Sequence, residues 1–206
     1  MSDQHNPFEH LKTVGGVLCL DFANTVSRRD TDLPTERLHA YEDLVAWAAH
    51  VEIVSPELGQ ALVAEAAQRP TAAMAVYEQA LALREALFRL FARTLEGAPP
   101  AAADLAVLNA QIASSYAHLR LAPGVPNFAW VWDDGAHHLD RILWPIVRSA
   151  AEELTSGELD RVRMCAGEHC GWLFVDRSKN RSRRWCDMQD CGNVEKVRRY
   201  RRRQKE

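Results

Sequence analysis

Through residue 154 the apolar positions recur mostly at helical spacing. Over residues 71–95, Val76, Leu83, Leu87, Leu90 and Phe91 make a wide stripe on one face, as in a helix laid against a core. Gly97 supplies a C-terminal stop. Upstream, Ser55-Pro56 is an N-cap followed by proline at the first helical position. That start predicts a helix to about Gln68, where Pro70 interrupts it. Pro34-Thr35 opens another, with Leu38, Tyr41, Leu44, Val45 and Ala48 on one side. Residues 104–114, after the Pro99-Pro100 loop, and residues 136–154 repeat the pattern, and Pro145 is expected to bend the latter.

The period changes in three places. Residues 14–26 read as a Gly15-Gly16 turn entering a short buried strand that ends at Asp21 and Asn24. Residues 116–121 and 127–132 read as two strands joined through Pro123-Gly124, a candidate hairpin. Near the C-terminus, residues 172–176 form another short strand, and a helix is predicted from Asn193 to about Gln204. The fold class is therefore α+β. A mostly helical body occupies residues 1–156, and a small C-terminal module follows Gly157 over residues 157–206.

The chemistry is concentrated in that module. Cys165 and Cys170 form one Cys-x₄-Cys pair, Cys186 and Cys191 a second, with fifteen residues between them. Two such pairs match a tetrahedral structural zinc site, whose closed shell leaves no position for substrate. Each second cysteine precedes a glycine, Gly171 or Gly192, which relaxes the steric limits on a chain wrapping a metal. The alternatives are His169 in place of one sulfur, or four unrelated thiols. Cys19 reads as a core residue. A module this small needs the one Zn2+ to fold, since structural zinc contributes roughly 10–16 kcal/mol in comparable peptides.

Charge sharpens the division. The net charge is −3, but residues 177–206 carry 12 Lys/Arg against 4 Asp/Glu. The preceding residues carry 13 against 24. A basic end on an acidic body points to a polyanionic partner at that end alone. Arg177, Lys179, Asn180, Arg181, Arg183 and Arg184 lie in the loop between the cysteine pairs; Asn193, Lys196, Arg199 and Arg203 lie on the terminal helix. These are the candidate nucleic-acid contacts, DNA first and RNA as the alternative, against a solvated basic tail. Asn180 reads as a turn residue before a base contact, and Asn193 equally as a cap. Val194, Val197 and Tyr200 form a narrow apolar stripe, expected to dock that helix on the module. Trp172, Phe174 and Trp185 read as a miniature core, with stacking on unpaired bases as the alternative.

The body shows no phosphate-cradling glycine loop, no His-Glu-x-x-His helix and no Gly-x-Ser-x-Gly elbow, so a non-enzymatic protein is expected. Asp21, Asn24, Arg28 and Arg84 are candidate small-molecule contacts. With His137-His138 in acid–base roles, the same groups would carry the alternative of a catalytic body. No apolar run approaches the roughly 18 residues of a membrane span. The polar first ten residues lack a signal-peptide pattern, which points to the cytoplasm. A homodimer and a small-molecule effector are left open.

The run from Cys170-Gly-Trp-Leu-Phe-Val-Asp to Cys186-Asp-Met-Gln-Asp-Cys191-Gly-Asn-Val resembles the CGNR zinc-finger family. Gly15-Gly16 with Leu18-Cys-Leu-Asp-Phe-Ala-Asn-Thr25 is similar to the opening motif of the ABATE domain, which precedes that finger in family members. The resemblance implies a bacterial DNA-binding regulator of stress-induced transcription, with a treble-clef-like finger, Cys165, Cys170, Cys186 and Cys191 as ligands, and a sensing N-terminal domain. The motif that names the family ends in arginine; position 194 here is valine.

Overall fold

In a computed structural model describing residues 7–133 and 138–204, helices alternate with two small hairpins. The order is α1 (Leu18–Ala23), α2 (Tyr41–His50), α3 (Pro56–Gln68), α4 (Pro70–Leu95), α5 (Ala102–Tyr116), β1 (Leu119–Pro123), β2 (Phe128–Trp132), α6 (Leu143–Thr155), β3 (Val162–Met164), β4 (Leu173–Val175) and α7 (Asn193–Arg203). Both strand pairs are antiparallel.

The strongest sequence signals hold. Ser55 Oγ accepts the Leu58 N–H as the N-cap of α3, and Pro56 occupies the first turn. α4 buries Val76, Leu83, Leu87, Leu90 and Phe91 and ends at Gly97, whose φ of +68° lies in the left-handed region. The predicted hairpin forms, with Leu121 opposite Trp130, but its first strand is Leu119–Pro123 and not 116–121, because α5 runs on through Tyr116.

Three expectations change. Residues 18–23 are a helix, not a strand. Cys19, Leu20, Phe22 and Ala23 are all fully buried, and a six-residue run so largely buried carries no period to separate the two structures. The helix expected from Pro34 begins only at Tyr41. Thr35 pairs instead with Ser27, and the Glu36 carboxylate takes the Arg37 and Leu38 N–H groups. Pro145 does not bend a long helix. It lies in the first turn of α6, where a missing N–H costs little, and a 3₁₀ turn over Leu139–Ile142 leads in. The expected start at residue 136 lies outside the described residues.

One apolar core takes in Leu20 and Phe22 of α1, Trp47 of α2, Leu62 of α3, Leu83 and Leu87 of α4, and Ile146 and Val147 of α6. It also contains Val162, Leu173 and Val175, which belong to the cysteine module. Phe174, between the last two, joins a second cluster with Cys165 and Cys186. Side chains alternate across a strand, so β4 is a plank between two cores: Leu173 and Val175 face the body, Phe174 the thiols.

Candidate metal centre and nucleic-acid interface

The ladder of β3 and β4 continues one step, Cys165 N–H to Trp172 O, and so aims the first thiol inward. His169 at φ +60° and Gly171 at φ +64° then reverse the chain around Cys170. Gly167 is needed for space, since a Cβ there would lie 3.2 Å from Cys191 Sγ. On the other side, Asp187 caps a π-helical turn (Met188–Gly192) by accepting the Gln189 and Asp190 N–H groups, which presents Cys191. Gly192 has ordinary helical φ; a Cβ would press on Met188 Sδ at 3.2 Å. Of the two glycines that follow cysteines, only Gly171 is used for its conformational freedom.

All four sulfurs lie within 4.8 Å of one another. Cys170 Sγ is 3.6 Å from Cys186 Sγ, which is 3.7 Å from Cys191 Sγ. Tetrahedral Zn–S bonds of about 2.3 Å imply sulfur–sulfur edges of about 3.8 Å, so the cluster fits one zinc ion. Hydrogen bonds from Cys170 and Cys186, and N–H bonds from Cys186 and Gly167, hold the Cys165 thiol far below its ordinary pKa. The same sharing pushes Cys170 and Cys186 up, and burial raises Cys191. Four thiolates this close need a cation among them. His169 is not a fifth candidate, because its ring turns to Asp30 at 3.2 Å. Cys19 is a core thiol that burial pushes up to about 12.

The opening motif clamps this module to the body. Asn24 Nδ2 donates to Leu173 O and Asn24 Oδ1 accepts Leu173 N–H, both at 2.8 Å. Val175 N–H donates to Gly15 O, Arg177 to Gly16 O, and Trp172 Nε1 to Val26 O. Asp21 Oδ1 accepts the Gly15 N–H at 2.8 Å, and a Cβ on Gly15 would strike Asp21 N at the same distance. Burial raises Asp21 to about 6. Arg84 is buried and forms a two-bond pair with Glu36, plus one with Glu85. Arg28 is exposed in a left-handed turn. The four candidate small-molecule contacts are thus dispersed. Asp21 alone lines a cleft of about 850 Å³, together with Lys12, His50 and Asp187. The His138 ring lies tilted against those of His118 and Trp144; His137 lies outside the described residues.

The basic residues divide sharply by partner. Arg183 stitches the second cysteine turn, donating to Trp185 O and Cys186 O and covering the Phe174 ring. Arg181 pairs with Asp160, Arg177 holds Gly16 O, and Arg198 bridges Glu168 and Glu195. Asn193 donates to Gln189 O within its own turn. Asn180 is exposed in the loop. Lys179, Arg184, Lys196, Arg199, Arg201, Arg202 and Arg203 are exposed. Among the described residues none of these seven side chains has a hydrogen-bonding or ionic partner; Arg184 alone lies over a ring, that of Trp185. A groove of about 350 Å³ runs between this tryptophan and Arg199, Arg202 and Arg203.

The sequence did not mark Asp176. Fully buried, it accepts the Ser178 and Arg183 N–H groups at 2.9 Å and so closes the basic loop. The Ser178 side chain, with these two N–H bonds, holds the Asp176 carboxyl below the usual range. The stripe on α7 is also a correction. Val194 is 50% exposed, and Val197 and Tyr200 stand equally open. α7 buries no residue, so the stripe is not docked; the helix meets the module through its charged side instead, where Arg198 pairs with Glu168. Phe174 is core; Trp172 and Trp185 are both half-buried against it, Trp172 donating to Val26 O and Trp185 also lining the groove.

No helix among the described residues is long and apolar enough to cross a membrane. No curated protein matches the chain. Two family models do match it: residues 161–204 fit the CGNR zinc finger, and residues 16–157 fit ABATE, described as "putative stress-induced transcription regulator". With that second match covering well over half its length, the chain belongs to the ABATE family and carries a CGNR zinc finger behind the family domain.

Proposed function

We propose that the protein is a non-enzymatic transcription regulator that grips duplex DNA through α7 and the loop of residues 177–184. The observation that carries this reading is the set of seven unpaired cations around α7, beside arginines that are already paired. Like charges three or four apart destabilise a helix, a cost that an anionic partner removes. Arginine suits phosphate through paired hydrogen bonds. The open Val194, Val197 and Tyr200 edge gives α7 an apolar strip able to meet thymine methyl groups in a major groove. The four-thiolate site supports a reducing, cytoplasmic location. The body's contribution is to fix the finger's pose. A small-molecule effector in the cleft beside Lys12 would reach both parts, because Lys12 pairs with Asp187 and Asp190.

The test is duplex affinity of the full zinc-loaded chain against salt. Each neutralised phosphate contributes about −0.9 to the log–log slope, so about six contacts would lose roughly 10³-fold between 50 and 200 mM salt. A flat response refutes the reading. Preference for structured or single-stranded RNA over the duplex, with loss on Trp185→Ala, would transfer the function to RNA.

A further inference from the structure

The β1–β2 hairpin is the least covered apolar element among the described residues. Leu121 is 58% exposed, Val125 102%, Phe128 69%, Trp130 55% and Val131 41%. Its register sets Leu121 beside Trp130 and Pro123 beside Phe128, so these four form one ladder on one face. Only the root is anchored, where Trp132 lies 5.7 Å from Trp144. From residue 121 to residue 132 there is no charged side chain; Arg120 and Asp133, at the root, pair with each other at 3.6 Å. The sheet has two strands only, so both outer edges are open. A lone hairpin is marginal in water, and an open edge is a template for another chain.

We propose that this arm is the contact between two copies of the chain, joined arm to arm about a two-fold axis. The absence of charge argues against an acidic, basic or nucleic-acid partner, because nothing on the arm would select one. A second copy supplies the same neutral ladder, and a two-fold contact needs only self-complementarity. It sets Trp130 of one copy against Phe128 of the other and keeps the acidic bodies and basic tails clear of the contact. The area suffices. Leaving out Val131, which faces the other way, the exposed side chains leave on the order of 500 Å² open, so two arms bury about 1,000 Å², the least a specific interface needs. This inference does not rest on the DNA reading, although a two-fold pair would present two fingers, as dimeric readers of paired half-sites do.

Sedimentation velocity of the full zinc-loaded chain tests it, over about 1 to 100 µM, a range that brackets a micromolar association. The expected result is a shift from one-chain to two-chain mass with concentration. Trp130→Glu should raise the midpoint at least tenfold, with zinc content and helical circular dichroism unchanged. Val125→Asp and Phe128→Ser, at and near the exposed tip, should weaken association in the same direction if Trp130→Glu fails to fold. One-chain mass at every concentration overturns the proposal, as does two-chain mass that ignores the tip variants. A one-chain species whose arm instead binds neutral phosphatidylcholine vesicles also overturns it.

Discussion

Replacing Asn24 with alanine removes a side chain that acts as a third strand. The β3–β4 ladder runs through Cys165 N–H to Trp172 O and Asp176 N–H to Arg161 O. By antiparallel alternation, the Leu173 N–H and C=O therefore point away from β3. Asn24 takes both at 2.8 Å, in a site where it and Leu173 are almost wholly buried. Truncation orphans one donor and one acceptor, each at about 1–3 kcal/mol, so the expected loss is about 3 kcal/mol. That is a large share of the 5–15 kcal/mol typical of a folded protein. Urea unfolding at neutral pH measures it. Asn24→Asp gives the sharper contrast. It sets a carboxylate against the Leu173 carbonyl and should be worse than alanine at pH 7. It should recover on acidification, because the protonated acid can donate. A loss below about 0.5 kcal/mol for alanine would refute the clamp, as would an aspartate variant of normal stability at neutral pH.

Other expectations follow from the same contacts. Burial lifts Asp21 from an ordinary 3.8 to about 6, so between these values the folded state binds the proton more readily than the unfolded one. Stability should then rise as pH falls through 6 and stop gaining near 4. The gain is at most about 3 kcal/mol at 1.36 kcal/mol per unit, and Asp21→Asn should abolish this part of the profile in thermal melts. Glu36→Gln leaves the buried Arg84 guanidinium short of a partner. It should cost about 2 kcal/mol, less than a fully buried pair because Glu36 is partly exposed, as read by urea unfolding. Arg199→Ala and Arg202→Ala should each flatten the salt dependence of DNA binding by about one slope unit, whereas Arg183→Ala should lower the melting temperature instead.

What could be read in advance follows from how local each signal is. The thiol cage, the caps of α3 and the end of α4 are written in residues a few positions apart, and all stand as expected. The first helix was hidden because its six residues, four of them fully buried, are too few to show a period. Asp21 and Asn24 looked like ligand contacts because a polar group beside an apolar run declares only that it has a partner. For Asn24 that partner is 149 residues away along the chain. The α7 stripe shows the opposite failure. Val194, Val197 and Tyr200 have the spacing of a docked face, but α7 lies against the module by its charged side, through Arg198 and Glu168, and leaves them exposed. Whether a basic side chain is free or already paired, as Lys196 and Arg183 illustrate, depends on neighbours that spacing does not reveal.

The central claim is that a zinc-held thiol cage fixes the cationic helix in its gripping pose. Its most direct test is a chelator titration of the full reduced chain, with bound zinc and duplex affinity measured on the same samples. The account predicts one zinc per chain and affinity that falls in proportion as zinc leaves, returning when it is restored. Metal-free protein that keeps both an ordered C-terminal helix and full DNA affinity would contradict it.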